Sequence, residues 1–332
     1  MEILDLEPPY AIQNYVKNTK NGLYFNNVYI PEEIILYILA FLDPKELLKF
    51  SLVCHNWNKF IKSYTLWSTL YRRKYHDKPK QLPWYLLYCL LNTNYFNNNL
   101  LKNGNGEEEF AHWHILDGGY CMIENPPRGT DPVPLHVPEF NKQTGCFATA
   151  YGYFWKMQNI KLGKNSFFRY IVNRYKPHIY LSEWTACRFN CGCIYKLRCG
   201  FVRSDTCDPY RRKAGAVHRV NQKEGSKWEK IEIIITEYPD DIEELIFEHE
   251  AHDVDYKGRH CSSKVAGCVL KFLFDSIEPL LTDENGTEKP KMFSELKYDT
   301  NVEKQTQEER IVTHVTPNGM CFQEFESFVI AS

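Results

Sequence analysis

At 332 residues the chain is longer than one compact unit needs, so two folded domains with tails are expected. Its 40 basic and 42 acidic residues leave a net charge of -2, too little to draw the molecule as a whole to nucleic acid or to an anionic membrane. Glu2, Asp5 and Glu7 replace the basic start of a secretory signal, and no run of about 18 apolar residues could insert into a bilayer, so the expectation is a cytoplasmic protein, with the nucleus equally open to it.

Residues 1–27 carry scattered apolar side chains and the turn-prone Lys20-Asn21-Gly22, which predicts a loosely ordered N-terminal arm. Residues 28–76 predict three short helices. In the first, Pro31 takes the opening position and Ile34, Ile35, Ile38, Leu39 and Leu42 recur on a 3.6-residue period. Asp43-Pro44 stops it and opens a second, with Leu47, Leu48, Leu52, Val53, Trp57, Phe60 and Ile61; a third starts at Thr65 with Leu66, Trp67 and Leu70. A segment under roughly 60 residues buries a smaller share of its own surface than a larger domain does, so part of this apolar set should face another protein.

In order, Ile30-Pro31-Glu32-Glu33-Ile34-Ile35, Ile38-Leu39, Leu42-Asp43-Pro44, Leu47-Leu48, Val53-Cys54, Trp57 and Leu66-Trp67 resemble an F-box. The resemblance implies docking onto a Skp-type adaptor, and through it onto a cullin-RING scaffold. The implied adaptor-binding residues are Pro31, Ile34, Ile38, Leu39, Leu42, Leu47, Val53, Cys54, Trp57, Leu66 and Trp67.

Residues 77–98 read as a linker: a polar stretch, a helix opened by Pro83 with Trp84, Leu86, Leu87, Leu90 and Leu91, and an asparagine-rich loop. From Asn99 helical stripes give way to period-two alternation. In Cys193-Ile194-Tyr195-Lys196-Leu197-Arg198-Cys199-Gly200-Phe201 the odd positions are apolar, while Lys196 and Arg198 point the other way. Lys230 to Thr236 and Lys264 to Phe274 read as further strands, and a single helix, Asn165 to Tyr175, puts Phe167, Phe168, Ile171, Val172 and Tyr175 on one stripe. Such strands predict an antiparallel β-sandwich over residues 99–275, followed by a polar tail at 276–332 in which Ile311 to His314 and Phe322 to Ile330 have the composition of short strands. The fold class is thus multidomain α + β.

Gly118-Gly119-Tyr120, Pro126-Pro127, Phe147-Ala148-Thr149, Trp184, Cys191-Gly192-Cys193-Ile194-Tyr195, Tyr238 and Phe247-Glu248-His249 resemble the F-box-associated domain of the sugar-recognising F-box proteins. That resemblance implies a jelly-roll-like sandwich that selects the target of a ubiquitin ligase. Some members bind the chitobiose of N-linked glycans on misfolded glycoproteins in ER-associated degradation, and others bind glycans poorly. Aligned on the flanking motifs, Tyr151 falls where glycan-binding members stack an aromatic ring, Asn190 where they have aspartate, and Tyr256 where they have tyrosine. Their following tryptophan is replaced here by Lys257 or is missing, and an ammonium offers no flat apolar face. Asp241 and Glu243 also depart from the family's glycine and arginine. The target is accordingly a substrate protein, with a glycoprotein and a non-glycan ligand as open alternatives; so is a carbohydrate- or protein-binding module acting outside any ligase.

Cys187, Cys191, Cys193 and Cys199, with Cys207 and His218, lack the doubled short spacing of a zinc knuckle, so the reading is reduced core thiols, no metal and no cofactor. Glu248, His249 and Asp253 are the nearest cluster to a glycosidase pair, yet no nucleophile and base stand out by motif, and no catalytic residue is expected.

Overall fold

The computed structural model describes residues 22–116, 120–150, 153–163, 167–189, 191–203, 213–220, 226–253, 263–282 and 288–289. The chain separates into two units, Met1–Asn94 and Tyr95–Ser332.

The first unit opens on a hairpin, β1 (Tyr24–Phe25) and β2 (Val28–Tyr29), followed by α1 (Glu32–Leu39), α2 (Pro44–Phe50), α3 (His55–Ile61), α4 (Tyr64–Tyr75) and α5 (Trp84–Asn92). The end of the expected loose arm is therefore structured: Leu23 is buried, and Ile30 N–H donates to Leu23 O at 2.8 Å. Pro31 precedes α1 rather than opening it, its carbonyl accepting from Ile34 and Ile35. The Asp43 carboxylate caps α2 by accepting from Lys45 N–H at 3.0 Å, with Pro44 in the first turn, and Ser63 caps α4. The expected second helix is in fact two, because Ser51 ends α2 with its hydroxyl on Leu48 O and the extended Cys54 starts α3 anew. The apolar spacing runs straight across that break, so periodicity could not reveal it.

Trp67 is the centre of this unit. It is fully buried, donates Nε1–H to Ile61 O at 2.6 Å, and meets the rings of Trp84 and Tyr88 from α5 at 6.2 and 5.3 Å. The helix expected as a linker is thus packed into the helical unit through Leu86, Leu87, Cys89 and Leu90.

The second unit is the expected antiparallel sandwich. One sheet has the order β10-β7-β12-β5-β4 and the other β3-β6-β11-β8-β9. The strands are β3 (His114–Leu116), β4 (Tyr120–Glu124), β5 (Cys146–Ala150), β6 (Tyr153–Lys161), β7 (Ile179–Cys187), β8 (Cys193–Arg203), β9 (Lys213–Val220), β10 (Glu229–Ile235), β11 (Ile242–Asp253) and β12 (Ser263–Phe272). In β8 the alternation holds: Cys193, Tyr195, Leu197, Cys199 and Phe201 are buried, while Lys196 and Arg198 are half-buried. α6 (Phe167–Tyr175) buries Phe168, Ile171, Val172 and Tyr175, but Phe167 turns outward. Two further pieces, β13 (Leu281–Thr282) and β14 (Glu288–Lys289), pair beyond the sandwich, and the tail segments Ile311 to His314 and Phe322 to Ile330 lie outside the described residues.

β12 bends at Gly267, whose φ of +63° suits glycine, where its pairing with β7 shifts register between Ala266 and Val269. Asn105 Oδ1 holds that bend by accepting Gly267 N–H at 2.8 Å.

Candidate functional site

Two surfaces and one sealed interior carry the chemistry. On the helical unit, α1 has more apolar side chains than one face can bury. Ile35 and Leu39, one turn apart, point into the core; Ile34, Tyr37, Ile38 and Phe41 stand in solvent. In the turn between α2 and α3, Leu52 is 86% exposed and Val53 60%. Of the eleven expected adaptor contacts, Pro31, Ile34, Ile38 and Val53 are exposed, and Leu42, Cys54 and Trp57 are half-buried. Leu39, Leu47, Leu66 and Trp67 lie in the unit's own core, each at most 1% exposed in the free chain, because the same helices must also close on one another. Tyr37 and Phe41, off the chosen stripe, join the exposed apolar set; the unbroken apolar run from Ile34 to Phe41 is the signal for them.

The four ligand candidates Tyr151, Asn190, Tyr256 and Lys257 lie outside the described residues, but the strands they follow and precede are placed. In one sheet Leu116 pairs in register with Trp155, Tyr153 with His252, and Asp253 with Cys193. In the other, Tyr120 pairs with Ala150 and Ser263 with Cys187. The strand ends flanking 151–152, 188–192 and 254–262 therefore belong to one edge of the sandwich. Asp241 and Glu243 belong to the opposite edge, where each binds the Arg169 guanidinium of α6 at 2.8 Å, which gives those two departures a structural role.

At the candidate edge Cys187 and Cys193 form a disulfide, with Cys191 packed beside them. This corrects the expectation of reduced thiols for Cys187 and Cys193, while Cys199 keeps a free, buried thiol as expected. Strand parity identifies an inward face but not the opposing sheet, and the short crossing from β7 to β8 brings the two sulfurs together. Phe189 is exposed on that crossing, its N–H donating to Gly129 O at 2.8 Å. Among the described residues no His, Cys, Asp and Glu group is arranged to hold a metal ion.

Between the sheets lies a charged cluster whose Lys156 and Glu183 no motif announced. Lys156 on β6, Glu183 on β7, and Tyr195 and His249 on β8 and β11 are all 0% exposed. The Lys156 ammonium donates to Glu183 Oε1 at 3.0 Å and sits 3.7 Å from the centre of the Trp113 ring. The Cys268 thiol donates to the same oxygen at 2.8 Å. Glu183 Oε2 accepts from the Tyr195 hydroxyl and from His249 Nδ1, the latter at 3.0 Å.

Burial alone would raise the Glu183 carboxyl, but Lys156 and His249 outweigh it and hold it well below the carboxylate range. Burial lowers His249, with Glu183 opposing only in part, so the imidazole is neutral with its proton on Nδ1 and Nε2 finds no partner. Burial pushes the Cys268 thiol well above its ordinary value. Parity was the missed signal: Lys156 shares a strand face with Phe154, and His249 with Phe247 and Ala251. Glu248, next to His249, faces the other way onto Arg198 at 2.9 Å, so these two members of the suspected catalytic cluster do not converge. The Asp253 side chain lies outside the described residues.

A family model described as the F-box associated region matches residues 91–271, and one described as F-box-like matches residues 28–73. F-box only protein 6 of Homo sapiens is 27% identical over 237 residues, covering 68% of this chain and 77% of that protein. F-box only protein 17 of Rattus norvegicus is 27% identical over 194 residues, covering 51% of this chain and 72% of that protein. Among solved structures, a domain in complex with β-1,4-galactotriose aligns with 53% of this chain and 99% of its own at 13% identity; its TM-score of 0.31 is too low to bear on ligands.

Proposed function

The chain belongs to the F-box proteins that carry an F-box-associated region, and we propose that it is the substrate-recognition subunit of a Skp–cullin–F-box ubiquitin ligase. The observation that carries this reading is the apolar face of the helical unit: Ile34, Tyr37, Ile38, Phe41, Leu52 and Val53 stand exposed on helices whose own core is already complete. Such a patch on a folded unit marks a protein interface, and a Skp-type adaptor is the partner that the family supplies.

The sandwich then presents a target at the edge where the β5–β6, β7–β8 and β11–β12 connections start. The chain's contribution is proximity: a target held beside the charged conjugating enzyme meets it at high effective concentration, with no catalytic residue from this protein. The test is co-purification of the full chain with a Skp-type adaptor and cullin. Wild type should bring both down, and Ile38→Asp with Leu52→Asp should bring down neither while its melting curve is unchanged. A wild-type chain that captures target but no adaptor would instead be a binding module working outside the ligase.

For the target itself the favoured ligand is a protein surface rather than a glycan, because the tryptophan face that glycan-binding relatives present after the tyrosine is replaced here by Lys257 or missing. Recognition of misfolded glycoproteins in ER-associated degradation is the second reading, favoured by Tyr151, Asn190 and Tyr256. A glycan array with the full chain separates the two. Retention of chitobiose-bearing glycans, lost in Tyr256→Ala, would overturn the protein reading.

A further inference from the structure

The hairpin ahead of α1 is built like a fixed part, yet most of its apolar side chains are left outside the core of the unit. Asn26 and Asn27, with φ of 48° and 66°, form a two-residue turn of the left-handed kind that joins antiparallel strands, pairing Phe25 with Val28 and Tyr24 with Tyr29. Strands two residues long are not stable alone, so the hairpin depends on its ties. Trp57 of α3 donates Nε1–H to Gly22 O at 2.8 Å, and Ile30 N–H closes back onto Leu23 O at the same distance. Leu23 is what the hairpin gives to the core. Phe25, Val28 and Tyr29 are left outside, Val28 at 64% exposure.

These side chains continue a patch already described. The Phe25 ring centre lies 6.4 Å from that of Trp57, which lies 6.2 Å from that of Phe50, and Phe50 leads within three residues to the exposed Leu52 and Val53. From Gly22 to Pro31 there is no charged residue, an absence that suits the centre of a protein interface and does not suit an anionic lipid or nucleic-acid surface.

We propose that the β1–β2 hairpin grips the adaptor, so that the docking surface runs from Phe25 and Val28 across Trp57 to Leu52 and Val53 instead of ending at the helices. The inference rests on the ligase reading and adds to it a contact upstream of Pro31. The test titrates the full chain against a purified Skp-type adaptor. Phe25→Ser with Val28→Ser should weaken binding about tenfold or more, leaving measurable capture, while Tyr170→Ser, an exposed aromatic on α6, should leave affinity unchanged. Hydroxyl-radical footprinting of the wild-type chain should show Phe25 and Tyr29 protected when adaptor is added, a readout independent of how the double variant folds. Unchanged affinity together with unprotected side chains overturns the inference. If Ile38→Asp abolishes capture in the same experiment, the ligase reading survives that result; if the wild-type chain binds no adaptor, both fall.

Discussion

The helical unit and the sandwich treat the boundary between oil and water in opposite ways. The first leaves Ile34, Ile38, Phe41, Leu52 and Val53 in solvent; the second seals Lys156, Glu183 and His249 completely away from it. Each arrangement is unfavourable in isolation. Exposed apolar side chains are stabilised when another protein covers them, and buried charges are tolerable when every partner is in place. The difference teaches where each unit finds its partners: inside the sandwich the Lys156 ammonium and the Glu183 carboxylate satisfy each other, and the exposed helical surface has no such counterpart among the described residues of its own unit.

The sharpest break in that contrast is Lys156→Met. Removing the ammonium strands the Glu183 carboxylate in the core and should cost roughly 3–5 kcal/mol in the denaturation transition of the sandwich. Lys156→Met with Glu183→Leu should recover much of that loss, since no lone charge remains. Equal destabilisation by the single and double variants would show that Lys156 acts through packing against Trp113 and Phe147 and not through its charge.

A smaller effect concerns acid. Burial depresses His249, so the unfolded chain takes up a proton near the ordinary histidine pKa of about 6.5 while the folded chain does not. Stability from His249 is thus fully present above that pH and declines as pH falls toward the depressed folded value, by at most about 1.4 kcal/mol per pH unit. Glu183 adds a second decline, beginning as pH falls through the ordinary carboxylate range of about 4, because its folded carboxyl is held low. Denaturation midpoints from pH 7 to 5 should fall less steeply in His249→Gln than in the wild type, and parallel slopes would remove histidine from the account. Smaller again is Asp43→Ala, which deletes the cap on Lys45 N–H and should cost about 1 kcal/mol in the helical unit by the same measurement.

Legibility in the sequence followed the same divide. β8 could be read residue by residue, because one face is wet and the alternation survives in the letters. The break at Ser51–Cys54 could not, since apolar residues needed inside and outside run through it at one period. Those two uses also blur the docking face: a stripe drawn by spacing mixes Ile38, which is outside, with Leu39, which is inside. At the sandwich edge the order of motifs indicated which residues to name, but the Cys187–Cys193 bond depends on how two sheets meet, which no single strand encodes. The charged interior was masked by the ordinary expectation that lysine and glutamate face water.

The smallest expected effect is also the one that tests the helical side of the contrast. Leu52, at 86% exposure, has almost nothing to lose on substitution, so Leu52→Asp should change the stability of the free chain by less than about 0.5 kcal/mol. An aspartate there removes a large apolar side chain from solvent contact and does not open a cavity. If instead the midpoint falls by the several kilocalories typical of a core leucine, then Leu52 is covered in the free chain. The face would belong to the protein's own interior, and loss of adaptor capture in any variant of it would report unfolding. A null result on stability is therefore what allows the binding loss in Ile38→Asp with Leu52→Asp to be read as a broken interface.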